Sequence, residues 1–147
     1  MNIAFFLTPK HEVVYQNINC TMRQALERME YHRYTAVPLI DDDGKYVGTL
    51  TEGDLLWKIK NTPNLSFKDT NKIPLKDVQK HMNNKPVLIN SDIESLISLA
   101  KNQNFVPVVD DDSVFIGIIK RSDIINYCFE LISQKQEEKE FKMAVSY

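Results

Sequence analysis

The chain contains the same short segment twice. Residues 37–43 read Val-Pro-Leu-Ile-Asp-Asp-Asp, and residues 106–112 read Val-Pro-Val-Val-Asp-Asp-Asp, a shift of 69 positions from 37 to 106. The same shift relates a glycine pair and an aspartate pair further along, Gly48 with Gly117 and Asp54 with Asp123. A half-length repeat indicates two copies of one supersecondary unit, each too small to bury its own apolar face. We therefore expect the copies to pack together around a shared core with a central groove between them.

The apolar pattern of each copy predicts the order strand, helix, strand, strand, helix, and hence an α+β fold. In the first copy the elements are expected at residues 12–15, 21–32, 36–40, 46–50 and 52–60, and in the second at 87–89, 93–100, 105–109, 114–119 and from 122 onward. Leu55, Leu56 and Ile59 are expected to face the core. Repeat one then covers residues 1–61 and repeat two residues 75–134, joined by a polar, proline-punctuated linker at 62–74 and followed by a charged tail at 135–147. A short helix is expected from Leu75 to Met82, started by Pro74.

Composition excludes several classes of protein. The chain is 43% hydrophobic and 26% charged with a net charge of −2, which is typical of a globular domain and does not favour binding to nucleic acid. No apolar run approaches the ~20 residues of a membrane span, and residues 1–9 lack the basic start of a signal peptide. Cys20 and Cys128 have no metal-ligand spacing, so we expect reduced thiols and a cytoplasmic protein.

The segment Thr51-Glu52-Gly53-Asp54 lies where a strand is expected to end and a helix to begin. One interpretation is a capping box, in which Thr51 and Asp54 satisfy the first turn of the helix, a contribution of about 1 kcal/mol. The other interpretation is a ligand site. A helix start attracts anions, and a carboxylate there can accept hydrogen bonds from both hydroxyls of a ribose.

The repeated strand, the glycine and the Thr-x-x-Asp segment together resemble a tandem pair of cystathionine-β-synthase (CBS) domains over about residues 7–131. The resemblance implies two pseudosymmetric β-α-β-β-α repeats that pack through their sheets and bind adenosine-containing ligands in the clefts between them. It also implies that Thr51 and Asp54 contact the ribose and phosphate side of the ligand. The residues that it implies to frame the base in the first copy are Tyr34, Thr35, Ala36 and Pro38.

Copy two departs from this pattern because Lys120 occupies the position of Thr51 and is followed by Arg121. The retained Asp123 favours ribose recognition, and the two cations are either a solvated pair or a clamp for phosphate. The two clefts are therefore expected to be unequal, or only one of them to be filled. The remaining candidates for ligand contact are Thr8, Lys10, Lys85, Asn104, Phe105 and Pro107, with core packing as the competing role of Phe105 and plain surface exposure as that of the two lysines.

The sequence favours neither a calcium loop nor a metal site built on histidine. The Asp41–Gly44 segment does not fit a calcium loop, because Tyr46 stands where that loop needs glycine, so a hairpin turn is expected. His11, His32 and His81 show no metal-ligand spacing, and no nucleophile–base arrangement is readable.

We therefore expect a regulatory sensor of AMP, ADP or ATP rather than an enzyme, with no resident cofactor, a homodimeric state and an unknown target protein. Cyclic di-AMP and S-adenosylmethionine are the other ligands considered. A scaffold that binds no ligand is the alternative from another class, and nucleotide hydrolysis is the enzymatic one.

Overall fold

A computed structural model describes residues 2–146, so Met1 and Tyr147, which begin the expected first repeat and end the expected tail, lie outside the described residues. The strands are β1 (Thr8–Pro9), β2 (Gln16–Asn17), β3 (Ala36–Ile40), β4 (Tyr46–Thr51), β5 (Val87–Leu88), β6 (Phe105–Val109) and β7 (Phe115–Lys120). The helices are α1 (Met22–His32), α2 (Glu52–Asn61), α3 (Ile93–Ala100) and α4 (Arg121–Val145). Short 3-10 helices span Ile3–Phe6, Lys10–Glu12, Phe67–Lys72 and Leu75–Asp77.

The two sheets have the same internal register, which confirms the repeat. In the first sheet β2 runs parallel to β3 and β3 antiparallel to β4, with Val37 opposite Leu50. In the second, β5 runs parallel to β6 and β6 antiparallel to β7, with Val106 opposite Ile119. Both residues of the second pair lie 69 positions after their counterparts. The predicted α+β fold of two pseudosymmetric repeats is therefore confirmed.

The first residues of each repeat, ahead of its sheet, complete the core of the other repeat. Ile3 and Phe6 are buried in the second core, whereas Leu75 and Val78 are buried in the first. These pairs are related by a shift of 72 positions. Strand β1 also crosses over and pairs with β7 in the second sheet. The two repeats are thus held together by exchanged segments, and removing either segment would expose apolar surface in the opposite repeat.

The hairpin turns of the two repeats also meet. The amide of Phe115 donates to the carbonyl of Gly44 at 2.9 Å, and the amide of Tyr46 donates to the carbonyl of Ser113 at 3.3 Å. Gly44 and Ser113 occupy equivalent turn positions with φ of 81° and 66°, the left-handed conformation that such turns need. A buried cluster then continues between the sheets and is made of Ile40, Phe105, Phe115 and Ile118. Packing through the sheets was predicted, and this cluster is the contact.

Local expectations were wrong at several places. The first strand lies at Gln16–Asn17 rather than 12–15, because only there does the chain pair with β3. The helix expected from Leu75 to Met82 is a single 3-10 turn, Leu75–Asp77, and Val78 after it is already extended. Leu56 is 56% exposed and lies on the outer face of α2. The last helix begins at Arg121 instead of Ser122. Its continuation into the charged tail was expected, and it ends at Val145.

The segment 62–74, expected as a linker, is packed against the first repeat. Its 3-10 helix places Thr70 in a fully buried position, where the Thr70 hydroxyl accepts a hydrogen bond from Arg23 Nε on α1 at 2.9 Å. The guanidinium of Arg23 lies 3.8 Å from the centre of the Phe67 ring. Among residues 2–146, no helix is both long enough and apolar enough to cross a membrane.

Candidate functional site

The start of α2 forms the capping box that the sequence offered as one interpretation. The Thr51 hydroxyl accepts from the amide of Asp54 at 3.1 Å, and Asp54 Oδ2 accepts from the amide of Thr51 at 2.9 Å. Strand β4 ends at Thr51 and leads directly into the helix, so both side chains are positioned by the strand-to-helix junction. Helix capping is therefore a function that Thr51 and Asp54 perform in the protein itself.

The other oxygen of Asp54, Oδ1, is bound by His81, which was not among the site residues predicted from the sequence. Asp54 Oδ1 accepts from the amide of His81 at 3.0 Å, and His81 Nδ1 lies 2.8 Å from the same oxygen. The Asp54 side chain is 1% exposed, whereas that of His81 is 52% exposed. The carboxylate is buried, but it is paired through charge-assisted contacts as a buried charge must be. A depression of about 230 Å³ next to it is lined by Trp57, Lys58, Asp77 and His81 among others.

His81 reaches Asp54 because of the segment exchange. A shift of 72 positions relates Ile3 and Phe6 to Leu75 and Val78, and the same shift places His81 at the position of Pro9. The chain after Val78 runs beside β4, where Lys80 packs next to Gly48. His81 could have been found by aligning the residues before each repeat with a shift of 72 positions, because the 69-residue shift of the main repeat does not pair them.

The start of α4 differs from that of α2 in the contacts made by the two equivalent residues. Lys120, at the position of Thr51, is exposed and provides no side-chain cap to the helix. Asp123 is partly buried and lines a cavity of about 360 Å³ with Thr8, Phe6 and Tyr127. Within residues 2–146 its carboxylate takes part in no hydrogen bond or ion pair. The two cavities are equivalent by the pseudosymmetry, but only the carboxylate at Asp54 is already engaged.

Arg121 is held by the protein rather than aimed freely at a ligand. Its Nε donates to the carbonyl of Gln103 at 2.9 Å, and its amide donates to the carbonyl of Asn104 at 3.0 Å. Gln103 in turn holds the backbone of Lys85, receiving from its amide at 3.0 Å and donating to its carbonyl at 3.1 Å. The side chain of Lys85 is exposed. A phosphate clamp formed by Lys120 and Arg121 stays a prediction, with only Lys120 fully available.

The residues expected to frame the base in the first copy are only partly brought together. The carbonyl of Thr35 accepts from the amide of Glu52 at 2.9 Å, and Ala36 is paired with Thr51 across the sheet, so both lie at the head of α2. The Tyr34 ring is stacked on His32 with centroids 5.8 Å apart. Tyr34 lines a groove of about 460 Å³ between α1 and α2, away from the lining of the depression at Asp54.

The corresponding residues of the second copy and of the N-terminal segment are more deeply packed. Phe105 is 8% exposed and belongs to the cluster between the sheets, which is the core-packing role weighed against stacking. Pro38 and Pro107 are both buried in their sheets, opposite Thr49 and Ile118. The ammonium of Lys10 lies 5.3 Å above the Tyr15 ring, which gives this side chain a fixed position.

A side-chain hydrogen bond links the first sheet to the segment that leads into the second repeat. The Tyr46 hydroxyl donates to the carbonyl of Asn84 at 2.7 Å and lies 2.8 Å from the Thr49 hydroxyl. Burial raises the pKa of Tyr46, and the hydrogen bond with Thr49 opposes that rise. No sequence motif marked this contact, because it joins residues about 38 positions apart. No cluster of three or more metal-ligating side chains is present among the described residues.

Comparison with known proteins agrees with this architecture. The family model described as "CBS domain" matches residues 9–61 and 75–130. CBSX1, a chloroplastic CBS domain-containing protein of Arabidopsis thaliana, is 26% identical over 155 aligned positions, which cover 88% of this chain. The match spans only 64% of the length of CBSX1.

Solved structures show the same fold. CbpB in complex with c-di-AMP superposes with a TM-score of 0.83 at 19% identity, covering 94% of this chain and 91% of that one. CBSX2 in complex with AMP superposes with a TM-score of 0.68 at 23% identity, covering 88% and 97% of the two chains. At these identities the likeness establishes the fold of the chain.

Proposed function

The chain belongs to the CBS domain family, and we propose that it binds an adenine nucleotide and reports its occupancy to a target protein. The observation that carries the proposal is Asp123, a partly buried carboxylate at the start of α4 that lines a cavity of about 360 Å³. A carboxylate in this position without a protein partner is suited to accept hydrogen bonds from the two hydroxyls of a ribose.

The related structures support the choice of ligand class. CbpB was solved with c-di-AMP and CBSX2 with AMP, and both ligands contain adenosine and phosphate. For this chain we propose AMP, ADP or ATP as the first candidates. Cyclic di-AMP is the second candidate, because CbpB, which has the same fold, was solved with it. In either case exposed Lys120 and the start of α4 would meet phosphate.

The proposed output is a change in the relation of the two repeats. The exchanged segments and the cluster around Phe105 and Phe115 already join the sheets, so a ligand bound between the repeats biases their arrangement. The carboxylates would stabilise a bound ligand rather than a developing charge, which supports a regulatory role rather than catalysis. Steady-state nucleotide turnover that Asp123→Ala abolishes would contradict this part of the proposal.

A thermal-shift panel of AMP, ADP, ATP, cyclic di-AMP and S-adenosylmethionine tests the proposal. A ligand at 100 times its Kd adds ~2.7 kcal/mol, which corresponds to a rise in Tm of roughly 5–10 °C for a chain of this size. We expect at least one adenine nucleotide to raise Tm in the wild-type protein. Asp123→Ala should reduce the shift, while Asp111→Ala, which changes an exposed turn carboxylate, should leave it intact.

Two results would contradict the proposal. If none of the five compounds raises Tm, the chain is better described as a scaffold that binds no nucleotide. If a nucleotide raises Tm equally in the double variant Asp54→Ala, Asp123→Ala, the assignment of ribose to these carboxylates is wrong.

We further propose that the chain acts as a homodimer. Leu56 on α2 and Ile125 on α4 are equivalent by the 69-residue shift and are 56% and 57% exposed. Phe129 and Ile132 extend the apolar face of α4. A second copy related by a twofold axis would cover both faces at once. Light scattering after gel filtration should give twice the chain mass, and Phe129→Lys should halve it; a wild-type monomer at micromolar concentration would contradict the proposal.

A further inference from the structure

His81 distinguishes the two clefts. In the first cleft, Asp54 Oδ2 is occupied by its own helix cap, and Oδ1 is occupied by the amide and the Nδ1 of His81. Each of these donors lies at the distance of a full hydrogen bond. Oδ1 already accepts two hydrogen bonds, so a ribose hydroxyl that binds this oxygen must displace the imidazole of His81.

Among residues 2–146, no side chain contacts Asp123 as His81 contacts Asp54. The position equivalent to His81 is Pro9, which lies opposite Gly117 in the second sheet. Proline has neither an amide hydrogen nor an ionisable side chain, so it cannot bind Asp123. Lys120 supplies no cap in place of Thr51 either. Of the two differences, the replacement of His81 by Pro9 bears on the carboxylate, because both donors to Asp54 Oδ1 come from His81.

We propose that His81 is a latch on the Asp54 cleft, so that nucleotide fills the Asp123 cleft first and the Asp54 cleft only when His81 leaves. The inference rests on the proposed function, because it assigns an order of filling to the same two clefts. The His81 side chain is 52% exposed, so its imidazole can rotate away without unpacking either core, while its backbone amide stays on Oδ1. Release is therefore a local event, and ligand affinity at Asp54 is lowered by the contacts that have to be broken.

Isothermal titration of the full-length chain with AMP, and separately with cyclic di-AMP, tests the latch. The wild-type protein should show one tight step that Asp123→Ala removes. In His81→Ala the Asp54 cleft should bind about tenfold more tightly or better, since a charge-assisted contact to Asp54 is gone. A second step should then become measurable, and adding Asp54→Asn should remove it. His11→Ala, which removes an exposed histidine, is the matched control and should behave as wild type.

The reciprocal variant Pro9→His provides an independent readout. This variant introduces an amide hydrogen and an imidazole at the position equivalent to His81. We expect it to weaken nucleotide binding in the tight step of the titration, with the fold retained as monitored by circular dichroism. Two equal steps in the wild-type protein, or an unchanged second step in His81→Ala, would overturn the latch while leaving nucleotide binding intact. Absence of binding in every variant would overturn the proposed function, and the latch with it.

Discussion

Replacing Gly117 by alanine should detach the N-terminal segment from the second repeat. A Cβ at this position would lie 2.3 Å from the carbonyl oxygen of Thr8 and 2.7 Å from Leu7 Cδ1. The first of these atoms belongs to the backbone of β1, so the strand has to move away. If β1 detaches, Ile3 and Phe6 leave the second core, a loss of about 1.5–3 kcal/mol for each side chain. If the strand only shifts, overpacking costs about 1–3 kcal/mol.

Gly48→Ala is the matched control for this variant. Gly48 and Gly117 have φ of 153° and 158°, so any backbone penalty is common to both. The Cβ at Gly48 meets only Lys80 side-chain carbons, at 3.4 and 3.5 Å, which can move aside. Urea unfolding should therefore show Gly117→Ala to be less stable than Gly48→Ala by about 2 kcal/mol or more. Amide exchange should also become faster at Thr8.

A difference in unfolding free energy below ~0.5 kcal/mol, with unchanged exchange at Thr8, would mean that the close approach of β1 to β7 does not stabilise the protein.

Three further variants test local contacts by equilibrium unfolding. Thr51→Ala should lower the unfolding free energy by about 1 kcal/mol because it removes the acceptor for the Asp54 amide; no change would show that the cap is not stabilising. Tyr46→Phe should lower it by about 1–3 kcal/mol because the carbonyl of Asn84 loses its donor. Burial raises the pKa of Tyr46, so the wild-type contribution is complete below the ordinary pKa of a phenol and is lost as the pH rises through the raised value; an equal alkaline loss in Tyr46→Phe would contradict this. The hydrogen bond from the Ser95 amide lowers the pKa of Asp92, so its contribution is present above the ordinary carboxyl pKa and is lost as the pH falls through the lowered value. Asp92→Asn keeps an acceptor without a titrating charge and should flatten that acid loss, which an unaltered pH profile would disprove.

The long elements could be predicted from the sequence because their signals are local. The apolar runs at residues 36–40 and 105–109 are buried strands, and Thr21 caps α1 with Gln24 as a local capping box. The strands β1 and β2 could not be predicted this way, although β5, predicted at residues 87–89, was found at Val87–Leu88. Their positions depend on pairing with distant strands, and a β-prone composition at residues 12–15 does not select that pairing.

The candidate site shows the same limit. The Thr51–Asp54 pair was found because both residues lie at one helix start, where a three-residue spacing carries meaning. His81 is 27 positions from Asp54, and its contact arises from the exchange of segments between the repeats. Seen alone, it was one of three histidines without a ligand spacing. An alignment of residues 3–9 with 75–81 makes His81 equivalent to Pro9. This alignment would have shown from the sequence that the two clefts differ.

We propose above that the carboxylate of Asp123 holds the sugar of an adenine nucleotide. A crystal structure of the chain grown with AMP would show this contact. We expect ribose hydroxyls about 2.6–3.2 Å from the oxygens of Asp123, the usual hydrogen-bond range, while His81 still contacts Asp54. AMP bound elsewhere, with Asp123 turned back to cap its own helix, would show that Asp123 does not bind the sugar.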